Sequence, residues 1–318
     1  MNQSTPVWSD EAVLVKTGCK LNLFLNICSL RADGYHELQT LFYPLSDPAD
    51  NLYIRPAEGL EGQGALVLEC PAFPELKNER TTLHKALEEF RLATGHSGNY
   101  QIFLDKQVPV GAGLGGGSAN AAGFLKYLNQ QGGQPELSVD ELLKLAARVG
   151  ADVPFFLMNG PALAEGIGEK LSPRNVSLAG LCLVLICPGI HVSTPWAYRE
   201  WDKLNGAGKK PENSLHTYFY QLLTSGGRMD KRSASEGKEN HLVCWPWFYN
   251  NLEQAVFSTH PEIAAIKEKL FQSGAKSALM SGSGSSVFGL FDSLEKAGIA
   301  SNLCEFQGFR TMVQILEI

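Results

Sequence analysis

The chain has no Cys-x-x-Cys pair, no surplus of basic residues, and no uninterrupted apolar run approaching the ~18 residues a membrane helix needs. Its seven cysteines are scattered without a nearby histidine cluster, and Cys19, Cys28, Cys182 and Cys187 sit inside apolar segments. That spacing argues against a disulfide scaffold or a thiolate metal centre and for buried free thiols in a reducing compartment. A net charge of -6 speaks against nucleic acid as a partner, because phosphate backbones demand a basic face. Met1 to Asp10 is polar and lacks the charged-then-apolar pattern of a signal peptide, so a cytoplasmic protein that binds no membrane is expected. No internal repeat is visible. What the chain does have is 318 residues at 44% hydrophobic content, enough to bury a large core and long enough to favour two domains.

Glycine is concentrated in one place. Gly111, Gly113, Gly115, Gly116 and Gly117 crowd a short segment, a density tolerated where the backbone takes left-handed conformations or closely approaches a ligand. Ser118-Ala119-Asn120-Ala121-Ala122, with Phe124, Leu125 and Leu128 following, has the composition and spacing of a helix that starts as the glycines end. A helix start leaves unpaired amides and the positive end of the macrodipole facing outward, which suits a phosphate group. A Walker-type P-loop is excluded because no lysine follows Gly117. Gly111-Ala-Gly113-Leu-Gly115-Gly116 matches Gly-x-Gly-x-x-Gly, but a dinucleotide fold wants an apolar strand leading into it, and Asp105-Lys106-Gln107-Val108-Pro109 is polar and broken by proline. Taken alone, the segment is a phosphate cradle or a glycine-rich surface turn.

Upstream, Ala12–Val15 and Leu21–Leu30 read as two strands, the second alternating Leu21, Leu23, Leu25 and Ile27 on one face. Lys20, Asn22, Phe24 and Asn26 take the other face. A lysine beside an asparagine could meet a substrate, but pattern alone favours a solvated strand edge. Asp33-Gly34 is a turn signal, followed by Tyr35-His36, whose plain reading is a half-buried loop pair. Thr82–Thr94 predicts a helix with Leu83, Ala86, Leu87 and Phe90 on one stripe, and Ser138-Val-Asp-Glu141 is a capping box for a helix ending at Gly150. Asp152 follows that helix at its C-terminal end, where the macrodipole disfavours an acid, so some other partner should hold it. Leu181–Cys187 reads as a buried strand, Pro261–Phe271 as a helix, and Ala278–Phe291 as strand, small-residue loop, strand. Between Trp201 and Trp245 the composition turns to Lys, Gly, Ser, Asn and Glu, which predicts a mobile surface loop.

The segment Pro109-Val-Gly-Ala-Gly-Leu-Gly-Gly-Gly-Ser118-Ala119 resembles the phosphate-binding signature of the GHMP kinases, a superfamily of small-molecule ATP kinases. Lys20-Leu-Asn22-Leu-Phe-Leu25 with Arg31-Ala-Asp33-Gly34-Tyr35-His36 resembles one branch of it, whose acceptor is 4-diphosphocytidyl-2-C-methyl-D-erythritol. Gly150-Ala-Asp152-Val-Pro154, Ala162–Glu169, the Ser193-Thr194 segment, Asn250-Asn251-Leu252-Glu253 and Ser281-Gly282-Ser283-Gly284 extend the likeness from Lys20 to Phe291. Two positions depart from it: Thr81-Thr82 stand where an Asn-Leu pair is usual near the adenine site, and Asn251 stands in an acidic slot.

The resemblance implies an α+β fold of two domains, roughly residues 1–159 and 160–318, with the polar insertion near 203–244 in the second and the active site in the cleft between them. It implies ATP with Mg2+ carried on it, a small-molecule acceptor, and a monomer or weak homodimer. Carried over residue by residue, Lys20 and Asp152 are catalytic, Asp152 as base. Pro109, Gly111, Gly113, Leu114, Gly115, Gly116, Gly117, Ser118 and Ala119 bind nucleotide, with Lys106 on the adenine side. Asn22, Tyr35 and His36 bind acceptor, Tyr35 stacking on the base and His36 reading its edge. Thr194 and Tyr198 flank the base from the opposite side, although plain packing serves Tyr198 equally well. Another GHMP kinase, of homoserine or mevalonate type, and a non-catalytic nucleotide-binding homologue are the rival readings; the second should have lost Lys20 or Asp152, and both are present.

Overall fold

The computed structural model describes residues 5, 6, 8–57, 65–131, 136–206, 248–305 and 307–316. The polar stretch read as a mobile loop falls mostly on 207–247 and so lies outside the described residues. The chain divides into two units: Met1–Lys20, Pro44–Val110 and Gly115–Asn159 form the first, while Leu21–Tyr43, Gly111–Leu114 and Gly160–Ile318 form the second. The chain crosses for the last time at Asn159-Gly160, but the strand residues after Lys20 and part of the glycine loop go with the second unit.

Two long strands, β1 (Val13–Leu30) and β2 (His36–Pro56), contribute residues to both units. β1 is one strand where the sequence predicts two. Lys16-Thr17-Gly18 does not break it, and Gly18 is required there because a Cβ would lie 2.0 Å from the Leu45 carbonyl oxygen. The expected solvated face is also absent. From Thr17 to Ile27 the side chains of β1 on both faces are buried or nearly so, including Lys20 at 4% exposure and Asn22 at 2%.

In the first unit, β4 (Tyr100–Asp105) pairs parallel with β3 (Leu66–Glu69) and antiparallel with Asn51–Pro56 of β2. Three helices accompany these strands: α1 (Thr82–Thr94), α2 (Gly116–Gln131) and α3 (Val139–Val149). α1 buries the stripe read from its spacing, Leu83, Ala86, Leu87 and Phe90. α3 starts at the predicted capping box, with the Glu141 amide donating to the Ser138 hydroxyl. α2 carries small or apolar residues around much of its circumference, so it can lie inside the unit; Phe124, Leu125 and Leu128 join Ile54, Ile102, Phe90 and Leu145 in one core.

In the second unit, β5 (Ala162–Gly166) pairs with Leu38–Phe42 of β2 and with β6 (Lys170–Pro173). An antiparallel sheet runs in the order β10, β7, β9, β8, made from Arg310–Ile315, Cys182–Cys187, Val287–Phe291 and Ser277–Met280. The continuous apolar run of β7 is buried throughout, as expected. Helices α4 (Thr194–Asn205), α5 (Leu252–Thr259), α6 (Pro261–Gln272) and α7 (Leu294–Glu305) complete it, and their apolar sides share a core with Val184, Ile186, Val287 and Phe291. Of the strand pairings above only β3 with β4 is parallel, and helices accompany the strands of both units, so the fold is α+β. The six cysteines among the described residues are free thiols, five of them buried. Among the described residues no helix is long and apolar enough to cross a membrane.

Candidate active site

In the first unit, Lys20 reaches Asp152. Its ammonium nitrogen lies 3.7 Å from the Asp152 carboxylate, with the lysine side chain 5% exposed and the aspartate 32%. Asp152 sits in the turn between α3 and the 3-10 turn Pro154–Leu157, so the partner demanded by its poor position on the helix dipole is a buried cation. Burial pushes the Lys20 ammonium below the usual lysine range, and Asp152 is the main influence opposing that fall. A carboxylate open on one side and backed by a cation is a suitable proton acceptor.

The glycine segment is a tight backbone path into α2. Gly111, Gly113 and Gly115 take φ of 65°, 76° and 72°. The Ala119 amide donates to the Gly115 carbonyl, so Gly115 caps the helix and the amides of Gly116, Gly117 and Ser118 form its unpaired first turn. Leu114 and Ala119 are buried and can offer a ligand only their backbone. Thr82, one of the two departures from the family pattern, donates its hydroxyl to the Gly117 carbonyl, while Thr81 caps α1 together with His84.

Lys106 is tied down. Its ammonium meets the fully buried Asp50 carboxylate at 2.5 Å and the Val108 carbonyl at 2.8 Å. The other Asp50 oxygen accepts the amides of Gln107 and Val108, both at 2.7 Å. The lysine thus braces the approach to the glycines, with Pro109 next in the chain.

In the second unit, a polar chain holds the glycine loop's other half. The Ser281 hydroxyl donates to the Gly113 carbonyl at 3.1 Å and accepts the Asn22 amide at 3.3 Å. Asn22 donates to Thr40, which in turn donates to the Phe24 carbonyl. The Ser286 amide bonds the Ala112 carbonyl, and Thr194 and Ser283 share a hydrogen bond of 2.7 Å. Gly113 has no room for a side chain, since a Cβ would stand 2.0 Å from the Ser281 carbonyl oxygen. Gly113→Ala adds that clash to a left-handed backbone whose cost for a non-glycine residue is about 1–3 kcal/mol. The expected outcome is a lowered Tm, checked by thermal unfolding; if it stays at the wild-type value, the packing described here is not what shapes the loop.

The motif Asn250-Asn251-Leu252-Glu253 serves the same loop. Asn250 donates to the carbonyls of Met280 and Gly282 and accepts the Leu252 amide. Asn251 accepts the Ile27 amide at 2.7 Å through its side-chain oxygen, which shows how an amide can fill the usually acidic slot. Glu253 accepts the Met280 amide and pairs with Lys267; burial pushes its carboxyl up and Lys267 opposes that.

The turn before β2 is rigid. Asp33 accepts the Tyr35 amide and is bound by the Arg31 guanidinium, which holds its carboxyl below the usual range, while the Arg31 amide donates to the Tyr35 carbonyl. Tyr35 projects outward at 60% exposure. His36 turns inward at 9%, its Nε2 2.9 Å from Asp202, its ring stacked on Tyr198 at 5.0 Å and edge-on to Trp201 at 6.0 Å.

The structure therefore brings Lys20 to Asp152, Asn22 to the glycine loop through Ser281, and His36 to Tyr198. It directs Lys106 to Asp50. Ser281 and Asn250 lie in motifs that the sequence shows, without the partners found here; Asp50 and Asp202 are not marked by the sequence reading, and of these two only Asp202 has a local signal, four residues after Tyr198 on one helix face.

The GHMP kinases N terminal domain model matches residues 81–160, and the GHMP kinases C terminal model matches 238–307. The chain is 46% identical over 300 residues to 4-diphosphocytidyl-2-C-methyl-D-erythritol kinase of Oleidesulfovibrio alaskensis, covering 87% of this chain and 90% of that one. To the protein of the same name from Lawsonia intracellularis it is 38% identical, with 97% and 98% covered. Among solved structures, a 4-(cytidine 5'-diphospho)-2C-methyl-D-erythritol kinase superposes with a TM-score of 0.70 at 31% identity, covering 95% of this chain and 98% of that one. Homoserine kinase from Cytophaga hutchinsonii also gives a TM-score of 0.70, at 18% identity with 100% and 97% covered, a likeness of fold alone. The chain belongs to the GHMP kinases and, among them, to the 4-diphosphocytidyl-2-C-methyl-D-erythritol kinase family.

Proposed function

We propose that this protein transfers the γ-phosphoryl group of ATP to the 2-hydroxyl of 4-diphosphocytidyl-2-C-methyl-D-erythritol, a step of the non-mevalonate route to isoprenoid precursors. The observation that carries the reading is the buried Lys20 ammonium beside the part-exposed Asp152 carboxylate. A nucleotide-binding homologue with no chemistry to perform has no reason to keep a desolvated cation there.

In the reaction, Asp152 takes the proton of the acceptor hydroxyl as its oxygen bonds to the γ-phosphorus and the bond to the ADP oxygen breaks. Lys20, beside Asp152, offsets the charge on the transferring group, and the first-turn amides of α2 hold the phosphates. Magnesium is assigned to the nucleotide, where it would neutralise the triphosphate.

The acceptor end is assigned to the turn after β1. Tyr35, held outward by a braced turn, is free to stack on a base, and His36 lies next to it to read the base's edge. Tyr35→Ala should weaken acceptor binding by about 1–3 kcal/mol, the scale of one base stack, and leave ATP affinity unchanged. Measuring both affinities, and turnover with the uridine analogue, tests this; equal loss for ATP, or equal use of the uridine compound, would refute the assignment.

A further inference from the structure

We propose that Asp202 is a specificity-positioning residue: it fixes the His36 imidazole with its proton on Nε2, leaving Nδ1 as a hydrogen-bond acceptor for the exocyclic amine of cytosine. This rests on the acceptor reading above and deepens it.

A carboxylate has no proton to give at neutral pH, so the ring nitrogen 2.9 Å from Asp202 Oδ1 must be the one that carries hydrogen. In the neutral ring the other nitrogen is then bare. The setting holds that choice. Asp202 lies on α4, one turn beyond Tyr198, so the helix that stacks a ring on His36 also supplies the carboxylate, and Trp201 closes on the ring's edge. The Asp202 side chain is 23% exposed and that of His36 9%, so water competes weakly for the bond. His36 is also the first residue of β2, directly after the turn braced by Arg31 and Asp33. The ring is therefore fixed in place, in plane and in proton position before any acceptor arrives.

The consequence is chemical. Cytosine presents an N–H donor at its C4 amine where uracil presents a carbonyl acceptor. A bare Nδ1 accepts from the first and meets the second lone pair to lone pair. Stacking from Tyr35 cannot make that distinction, because every pyrimidine has a π-face. Cytidine selectivity is thus assigned to a ring whose polarity is set from behind by a residue that does not itself touch the base.

The test is Asp202→Asn in the full chain. The amide presents an N–H as readily as an oxygen, so it removes the carboxylate's demand for a proton on Nε2 and lets the ring proton pass to Nδ1, which turns the reading atom from acceptor to donor. Nitrogen-15 spectra of histidine-labelled protein, with His36 assigned by His36→Gln, should show Nε2 protonated in the wild type and an increased share of Nδ1 protonation in the variant. The kcat/KM for the cytidine acceptor should fall about 10–100-fold, the cost of one mismatched buried hydrogen bond. Turnover of the uridine analogue should rise relative to it, ATP KM should hold, and Asp202→Glu should restore part of the cytidine preference. A wild-type ring protonated at Nδ1 overturns the proposal, as does a variant that loses both acceptors and ATP alike. Should Asp202→Asn fail to fold, the wild-type spectrum and Asp202→Glu selectivity still decide. If the wild type turns over no cytidine acceptor, the functional reading fails while the spectrum reports separately on the ring.

Discussion

Asp152→Asn is expected to bind ATP normally and to lose phosphoryl transfer by at least ~100-fold, the usual scale for removing a general base. The substitution keeps the shape of a side chain that stands in a turn between α3 and Pro154 and removes its charge and its ability to take a proton. It also removes the main influence opposing the burial-driven fall of Lys20. Since Lys20 is held below its ordinary value of 10.5, the unfolded chain binds the extra proton between the depressed value and 10.5, and the site's contribution to stability rises with pH across that interval. Without Asp152 the interval extends to lower pH. The variant should therefore be more destabilised, relative to wild type, at the acid end of that interval than at its alkaline end, which chemical denaturation across a pH series would measure. Near-normal turnover would remove Asp152 from the mechanism.

Lys20→Met should separate stability from catalysis. A buried cation costs desolvation that an apolar side chain of similar length does not, and replacing buried charge with packed apolar groups is often neutral or stabilising. Its partner does not become a stranded buried charge, because the Asp152 side chain is 32% exposed. Tm should hold or rise, while kcat should fall about 10²–10³-fold through loss of charge stabilisation on the transferring group. A variant that stays active would show that the ammonium serves packing; one that unfolds would show that the pair holds the turn together.

Much of this was legible because it is local. The capping box of Ser138 and Glu141, the apolar stripe of α1 and the glycine cluster all lie within a few residues, where chain geometry turns pattern into structure. The Lys20–Asp152 pair came from motif resemblance, and the backbone argument supplied only the hint that Asp152 needed a partner. The polar face of β1 misled, because alternation shows which residues share a side and not whether that side meets water. Asn22 and Ser281 touch across 259 positions, and Asp50 meets Lys106 across 56, so neither pair leaves a local signature. Such contacts come from tertiary packing, which also turned Lys106 inward to Asp50 and made Asn251 an acceptor for a backbone amide.

The most direct test of the account is the identity of the product. Purified protein incubated with Mg·ATP and 4-diphosphocytidyl-2-C-methyl-D-erythritol, with homoserine and mevalonate in parallel, should yield by phosphorus NMR one ADP and one new phosphomonoester on the 2-carbon of the cytidine compound alone. A phosphomonoester on homoserine or mevalonate instead, or no transfer to any of the three, would contradict it.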